Sequence, residues 1–177
     1  MKGKIIAAVR TEEELSRALL SETEIIFFLA PTVFNTASVV ERAHRKGKKL
    51  LIHIDLAEGI AKDKLGLQLV KNMHADGIIS TRQGMIKIAK ELGLYTVQRF
   101  FLVDSHSVDT IIETVKTAKP DMAEIMPGVV PKVISHIHRE TGVPVICGGL
   151  IDTQREIEEA FSGGAAAVSI GKEEFWR

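Results

Sequence analysis

The segment VPVICGGLIDTQREI, residues 143–157, holds one complete unit of the fold: an apolar run, two glycines and the start of a helix. The apolar run 143–147 is continuous rather than alternating, which is typical of a parallel strand covered on both faces. Thr153 followed by Glu156 predicts a capping box that opens a helix. The segment therefore predicts a strand, a short loop and a helix in succession.

The same unit recurs along the whole chain. The segments between the apolar runs carry amphipathic stripes, such as Val108, Ile111, Ile112 and Val115 on one helix face. Buried strands that alternate with helices require right-handed crossovers and a parallel sheet. The apolar runs lie at residues 5–9, 25–29, 50–54, 77–80, 96–103, 122–126, 143–147 and 165–170.

Eight strands predict closure into a small α/β barrel, a (β/α)8 fold of the TIM type. A typical barrel has roughly 250 residues, so a chain of 177 residues leaves room for minimal loops only. An open, doubly wound sheet is the alternative architecture, but the strand count and the glycines near the chain end favour the barrel. Because no linker or low-complexity segment interrupts the pattern, we expect one domain over residues 1–177.

The composition excludes several classes of protein. Lys plus Arg equals Asp plus Glu at 23 each, so no strong global field draws the chain to nucleic acid or to anionic membranes. The single cysteine, Cys147, excludes an internal disulfide and a four-cysteine metal site. The first apolar run is too short for a signal peptide. We expect a cytoplasmic protein with no membrane partner, no metal and no cofactor.

Glycines follow the seventh and eighth predicted strands, where barrels that bind phosphorylated ligands often hold the phosphate. Glycine lets the backbone approach a phosphate closely, so that amide N–H groups can donate to it. The competing interpretation is that these are ordinary turn glycines. We favour a phosphate site, and its predicted residues are Gly148, Gly149, Ser169, Gly171 and Lys172.

Polar side chains also cluster at or near the C-terminal ends of the predicted strands, which form the functional rim of a barrel. Buried polar groups are costly unless paired. One interpretation is an interior ion-pair layer, in which Glu124 or Asp55 pairs with Arg99. We favour a ligand pocket, in which arginines attract an anion and carboxylates bind hydroxyls. Loop 56–63, which contributes Lys62, is predicted to form a lid or side wall of this pocket. The predicted pocket residues are Arg10, His53, Asp55, Lys62, Arg99 and Glu124.

Taken together, these residues resemble the glycerol uptake operon antiterminator family over nearly the whole chain. The run HIDL at 53–56 with its downstream Lys62-Asp63 is quite specific, whereas GGLI at 148–151 is common to many phosphate-binding barrels. The eighth strand ends in SIGK, where relatives tend to be richer in serine, threonine and asparagine. The resemblance also rests on IAAVR at 6–10, DGIIST at 76–81, residues 98–105 and EIMPG at 124–128.

The resemblance implies a regulator and not an enzyme. Such a protein would sense glycerol 3-phosphate and bind the leader of messenger RNA, where it prevents premature transcription termination. From the residues alone, a barrel enzyme (an isomerase, lyase or hydrolase) that acts on a small phosphorylated sugar or polyol is the alternative, with His53, Asp55 and Glu124 as acid and base. A ligand-binding scaffold for a protein partner is a third hypothesis, and homo-oligomers remain open.

The best basic cluster for RNA lies where the second predicted helix leads into the third strand. Basic residues near helix C-termini also offset the helix dipole and solvate the surface, which is the competing interpretation. In a barrel this cluster lies on the face opposite the ligand site, so ligand control would need long-range coupling or a change of assembly. The cluster comprises Arg42, Arg45, Lys46, Lys48 and Lys49.

Overall fold

The computed structural model describes residues 3–177 as a closed barrel of eight parallel strands that pair in chain order, with β8 pairing back to β1. The barrel prediction is thereby confirmed, and the open sheet is excluded. The strands are β1 (Lys4–Val9), β2 (Ile25–Phe28), β3 (Lys49–His53), β4 (Gly77–Ser80), β5 (Tyr95–Phe101), β6 (Met122–Met126), β7 (Val145–Gly148) and β8 (Ala167–Ile170).

Seven α-helices surround the barrel, and each follows the strand of the same number. They are α1 (Glu12–Leu20), α2 (Thr36–Arg45), α3 (Lys64–Asn72), α4 (Gln83–Glu91), α5 (Ser105–Ala118), α6 (Pro131–Thr141) and α7 (Gln154–Ser162). Within residues 3–177, none of these helices has both the length and the apolarity needed to cross a bilayer.

Two predicted strands begin later than the apolar pattern suggests. β7 starts at Val145, because Pro144 has no N–H to donate to the ladder. β8 starts at Ala167, since the N–H of Ala165 still bonds back to the carbonyl of Ala160 at the end of α7. The two strands were predicted to start too early because the residues that lead into each strand are also apolar.

The strand residues divide between two apolar layers. One set fills the barrel interior, and the alternate set packs against the helices, as the period of two along a strand requires. The interior set includes Ile6, Phe27, Leu51, Val97 and Ile146. The outer set includes Ala7, Ile26, Ile52, Ile78 and Ile125.

Residues suited to capping stand at three of the helix termini. The capping boxes at Thr11 and Thr153 are both formed, with Glu14 and Glu156 as the reciprocal partners. Gly142 ends α6 in the left-handed conformation at φ 69°, which glycine adopts at no steric cost. Because each helix follows its strand in a parallel barrel, its N-terminus lies at the C-terminal end of the barrel.

A short tail takes the position of an eighth helix. It contains a 3₁₀ turn at Glu173–Phe175, after which Trp176 is buried with 2% of its surface exposed. The indole N–H donates to the carbonyl of Ile170 at 2.8 Å. The N–H of Glu22 donates to the carbonyl of Trp176 at 3.2 Å. The tail thus joins the end of β8 to the loop before β2.

Replacing Trp176 with alanine should lower the free energy of unfolding by about 3–5 kcal/mol, because a large buried ring and its hydrogen bond are lost together. Trp176→Phe should cost less, since the ring packing is mostly kept. Urea unfolding of both variants measures the difference. A loss below about 1 kcal/mol for Trp176→Ala would show that the tail does not complete the outer layer.

Candidate functional site

A cavity of about 310 Å³ opens at the C-terminal end of the barrel. The β7–α7 loop and the segment after β8 form two of its sides, so the two predicted glycine loops meet at one place. The end of β1 contributes Arg10 and β5 contributes Arg99. Apolar lining comes from Ala8, Leu29, Met126, Leu150 and Ile151.

A buried ion pair lies at the base of this cavity. Arg99 and Glu124 are register partners on β5 and β6, and Nε of Arg99 donates to Oε2 of Glu124 at 2.6 Å. The hydroxyl of Ser169 donates to the other carboxylate oxygen at 2.5 Å. Glu124 has no exposed surface. The interior ion-pair interpretation therefore holds for Arg99 and Glu124, and the hydroxyl of Ser169 is committed to this pair.

Arg99 belongs to the ion pair and to the cavity at once. Its Nε contacts Glu124, while its two terminal nitrogens donate to no residue in the range 3–177. A guanidinium has five N–H donors in a fixed fork, so most of them remain for a bound molecule. Glu124 thus orients Arg99 from the base of the cavity. The ion-pair interpretation and the ligand-pocket interpretation of Arg99 are therefore compatible.

The glycines of the β7–α7 loop have two different structural roles. A Cβ on Gly148 would lie 2.5 Å from Oγ of Ser169 and 2.7 Å from Oε1 of Glu124, so glycine at this position makes room for the buried pair. Gly149 and Leu150 both have positive φ, at 69° and 57°, which turns the chain sharply. Of the two glycines predicted to approach a phosphate, Gly149 lines the cavity, whereas Gly148 accommodates the buried pair.

Arg10 is the cation of the cavity that has no acidic partner in the described part of the chain. Lys172, by contrast, pairs with Asp152 at 3.2 Å. Glu14 also lines the cavity, but its carboxylate accepts from the N–H groups of Arg10 and Thr11 at 2.5 and 3.2 Å. The exposed guanidinium of Arg10 is therefore available to a bound anion.

Backbone amides supply further hydrogen-bond donors to the cavity. In the two cavity loops, the N–H groups of Gly149, Leu150, Gly171 and Lys172 donate to no acceptor within residues 3–177. An added Cβ on Gly171 would lie 3.6 Å from the carbonyl oxygen of Ala8, so this loop is not tightly packed. Several free N–H groups beside a guanidinium are typical of an anion-binding site.

Asp55 and Lys62 lie outside the cavity, although the sequence analysis grouped them with it. Asp55 accepts from the hydroxyl of Ser80 at 2.8 Å and from the N–H of Thr81 at 2.7 Å. Burial alone would raise the pKa of Asp55, but these hydrogen bonds outweigh it and leave the pKa below its usual value. The ammonium of Lys62 donates to the carbonyls of Ala57 and Ile60. Both side chains therefore stabilise the loop after β3.

His53 lies inside the barrel but does not line the cavity. It is 4% exposed, and its Nδ1 has no hydrogen-bond partner within the described residues. Burial, followed by the charge of Arg99, lowers the pKa of His53 to about 4. The imidazole is therefore neutral at physiological pH.

The predicted RNA cluster lies at the opposite, N-terminal end of the barrel and is only partly free. Arg42 pairs with Glu12 at 2.6 Å, and Arg45 pairs with Glu41 on its own helix. Lys48 does not belong to an exposed cluster as predicted. It is buried, and its ammonium donates to the carbonyls of Ser21 and Thr23 at 2.7 and 2.5 Å. Lys46 and Lys49 are exposed and form no ion pair with any residue in the range 3–177.

The fold and the site define a class: a (β/α)8 barrel whose cavity between the loops after β7 and β8 is lined by arginine side chains and loop amides. Residues 5–176 match the model of the glycerol-3-phosphate responsive antiterminator family. The chain belongs to this family, as the sequence resemblance predicted. The family is one of regulatory antiterminators.

Individual relatives agree over nearly their full lengths. The uncharacterized protein YgcP of Escherichia coli K12 is 34% identical over 176 residues, which are 99% of this chain and 92% of that protein. The glycerol uptake operon antiterminator regulatory protein of Listeria monocytogenes has a TM-score of 0.93 at 29% identity, with 99% and 96% of the chains covered. An antiterminator-related protein of Thermotoga maritima has a TM-score of 0.89 at 29% identity, with 99% of each chain covered.

Sequence reasoning missed several lining residues. Met126 and Leu150 contribute apolar wall, while Glu14 and Asp152 contribute carboxylates. Only their position, at a strand end or shortly after one, could have identified these residues from the sequence. Met126 and Leu150 were not predicted as lining residues, because apolar residues at strand ends are ordinarily part of the core.

Stability should fall as the pH falls through the range in which His53 titrates. The folded pKa of about 4 lies below the ordinary value of 6.5, so the unfolded chain takes up the proton first. The contribution of neutral His53 is complete above pH 6.5 and is lost progressively down to pH 4, by about 3 kcal/mol in total.

Urea unfolding between pH 7 and pH 4 measures this loss. His53→Gln should flatten the curve in that window, whereas His106→Gln, which replaces an exposed histidine, should not. Parallel curves for the wild type and His53→Gln would contradict the assignment.

Proposed function

We propose that this protein is an antiterminator that binds glycerol 3-phosphate in the C-terminal cavity and binds leader RNA of glycerol genes in a ligand-dependent way. The observation that carries the proposal is that one cavity is lined by several donors that have no acceptor within residues 3–177. The guanidinium of Arg10, the terminal nitrogens of Arg99 and the four free loop amides all belong to it. The ligand itself is the effector, and no cofactor is needed.

The donors suit a small phosphate ester. In our proposal the dianion contacts Arg10 and the amides of Gly149, Leu150, Gly171 and Lys172, since charge-assisted hydrogen bonds to phosphate are strong. The terminal nitrogens of Arg99 then donate to the hydroxyl oxygens. A cavity of about 310 Å³ is at the lower end of the roughly 300–1,000 Å³ of ligand pockets, which favours a three-carbon ligand over a sugar phosphate.

The bonding of the carboxylates supports a sensor over an enzyme. Glu124 accepts hydrogen bonds from Arg99 and Ser169, and Asp55 accepts them from Ser80 and Thr81. His53 is buried away from the cavity lining. A general acid or base must reach the reacting group. The two carboxylates are held by these hydrogen bonds, and His53 does not line the cavity. Turnover of any member of a panel of phosphate esters by the pure protein would overturn this part.

The ligand site can be tested at Arg10. Calorimetry with glycerol 3-phosphate should show that Arg10→Gln weakens binding by about 10- to 100-fold, because charge-assisted hydrogen bonds are lost. Arg82→Gln is the matched control, since Arg82 is an exposed arginine that follows β4 on the other side of the barrel. Equal losses in both variants, or none in either, would remove the phosphate site from this cavity.

The regulatory step can be tested with RNA. Binding of a glycerol operon leader RNA should be stronger with glycerol 3-phosphate than without it, and Arg10→Gln should shift this response to higher ligand concentrations. The titration is repeated over a range of salt concentrations, because phosphate contacts make RNA affinity salt-dependent. RNA affinity that is independent of the ligand near physiological salt would argue against an antiterminator role.

A further inference from the structure

A second cavity, of about 530 Å³, lies at the N-terminal end of the barrel, opposite the ligand cavity. Its walls are the lower interior layer of the barrel, which includes Phe27, Leu51, Val97 and Met122. Tyr95, the first residue of β5, stands at its mouth with 44% of its surface exposed. We propose that this cavity binds an unstacked base of single-stranded RNA. The inference rests on the RNA-binding function proposed above.

The lining suits a nucleobase. An exposed aromatic ring beside apolar walls offers a base the stacking surface that single-stranded nucleic acids use. In this cavity Asp121 accepts from Thr96 through Oδ2, at 2.8 and 2.7 Å. Asp76 accepts from the N–H of Leu50, also through Oδ2.

The second oxygen, Oδ1, of each carboxylate accepts no hydrogen bond from the residues that the structure describes. A free carboxylate oxygen accepts from the exocyclic amino group of a base. Uracil has no such group. The cavity should therefore prefer adenine or cytosine to uracil.

The surrounding charge favours a nucleic acid over an apolar side chain of a protein partner. Lys49 and Lys90 line the cavity itself. Each of the helices α1 to α6 has a basic residue in its last turn, and all of these turns lie at this end of the barrel. The arginines of this ring of cations pair with glutamates, but Lys49, Lys71, Lys90 and Lys116 pair with no carboxylate within residues 3–177. These lysines can hold the phosphates that flank an inserted base. An uncharged partner would gain little from that ring.

The linings of the two cavities come within two residues of each other along the chain. On β1, β2 and β5, a residue that lines the N-terminal cavity is followed two positions later by one that lines the ligand cavity. Two residues along a strand span about 7 Å. A ligand that moves Arg99 therefore acts close to Val97 in the base site. The pairs are Ile6 and Ala8, Phe27 and Leu29, and Val97 and Arg99.

The test uses fluorescence anisotropy with short single-stranded RNAs of one base type: oligo-A, oligo-C and oligo-U. Oligo-A and oligo-C should bind more tightly than oligo-U. Tyr95→Ala should weaken their binding about tenfold, the effect of losing one stacked base, while Tyr95→Phe should keep it. Lys49→Gln should weaken all three RNAs alike and lower the salt slope by about one. Lys87→Gln, at an exposed lysine on α4 outside the cavity, should change nothing.

The outcomes separate this inference from the proposed function. Glycerol 3-phosphate binding and thermal unfolding show whether Tyr95→Ala is folded. If the folded variant binds leader RNA and oligo-A as the wild type does, the base site is overturned while the antiterminator role stands. If the wild type binds none of the RNAs, both are overturned. Self-association that Tyr95→Ala abolishes, with unchanged RNA affinity, would assign the cavity to a second copy of the chain.

Discussion

The buried ion pair between Arg99 and Glu124 is the interaction on which the rest of the site depends. A carboxylate with no exposed surface is tolerated only when its hydrogen bonds are made, and losing one partner of such a pair generally costs about 3–5 kcal/mol. Arg99 supplies one bond and Ser169 the other. This arrangement requires glycine at position 148, where a Cβ would collide with both acceptor and donor. Four strands, β5 to β8, thus meet at one carboxylate.

The pair also divides the barrel interior. Above it, the terminal nitrogens of Arg99, the guanidinium of Arg10 and the loop amides line the ligand cavity. Below it, the interior is apolar down to the mouth at Tyr95. Because packed interiors transmit small displacements rather than absorbing them, cavity linings that lie two residues apart on a strand suit a protein whose ligand must influence a second binding event.

Sequence reasoning was most successful where a residue's position follows from the strand period. Arg10 and Arg99 lie at the expected end of the barrel, and Glu124 faces the interior beside Arg99. It was least successful where the chain leaves the strand. A 3₁₀ turn at Ile54–Leu56 follows β3 directly, so Asp55 turns to β4 and the spacing of two from His53 no longer places both on one face.

The sequence by itself determined the barrel, its strand order and the placement of polar residues at one rim. These follow from local signals, namely apolar runs, caps and glycines, that repeat with a regular period. Only the tertiary structure decided which charges remain free, because partners such as Glu12 for Arg42, Asp152 for Lys172 and the carbonyls around Lys48 are distant along the chain or in another element. Charge can be counted from residues, but its neutralisation depends on contacts that exist only after the barrel closes.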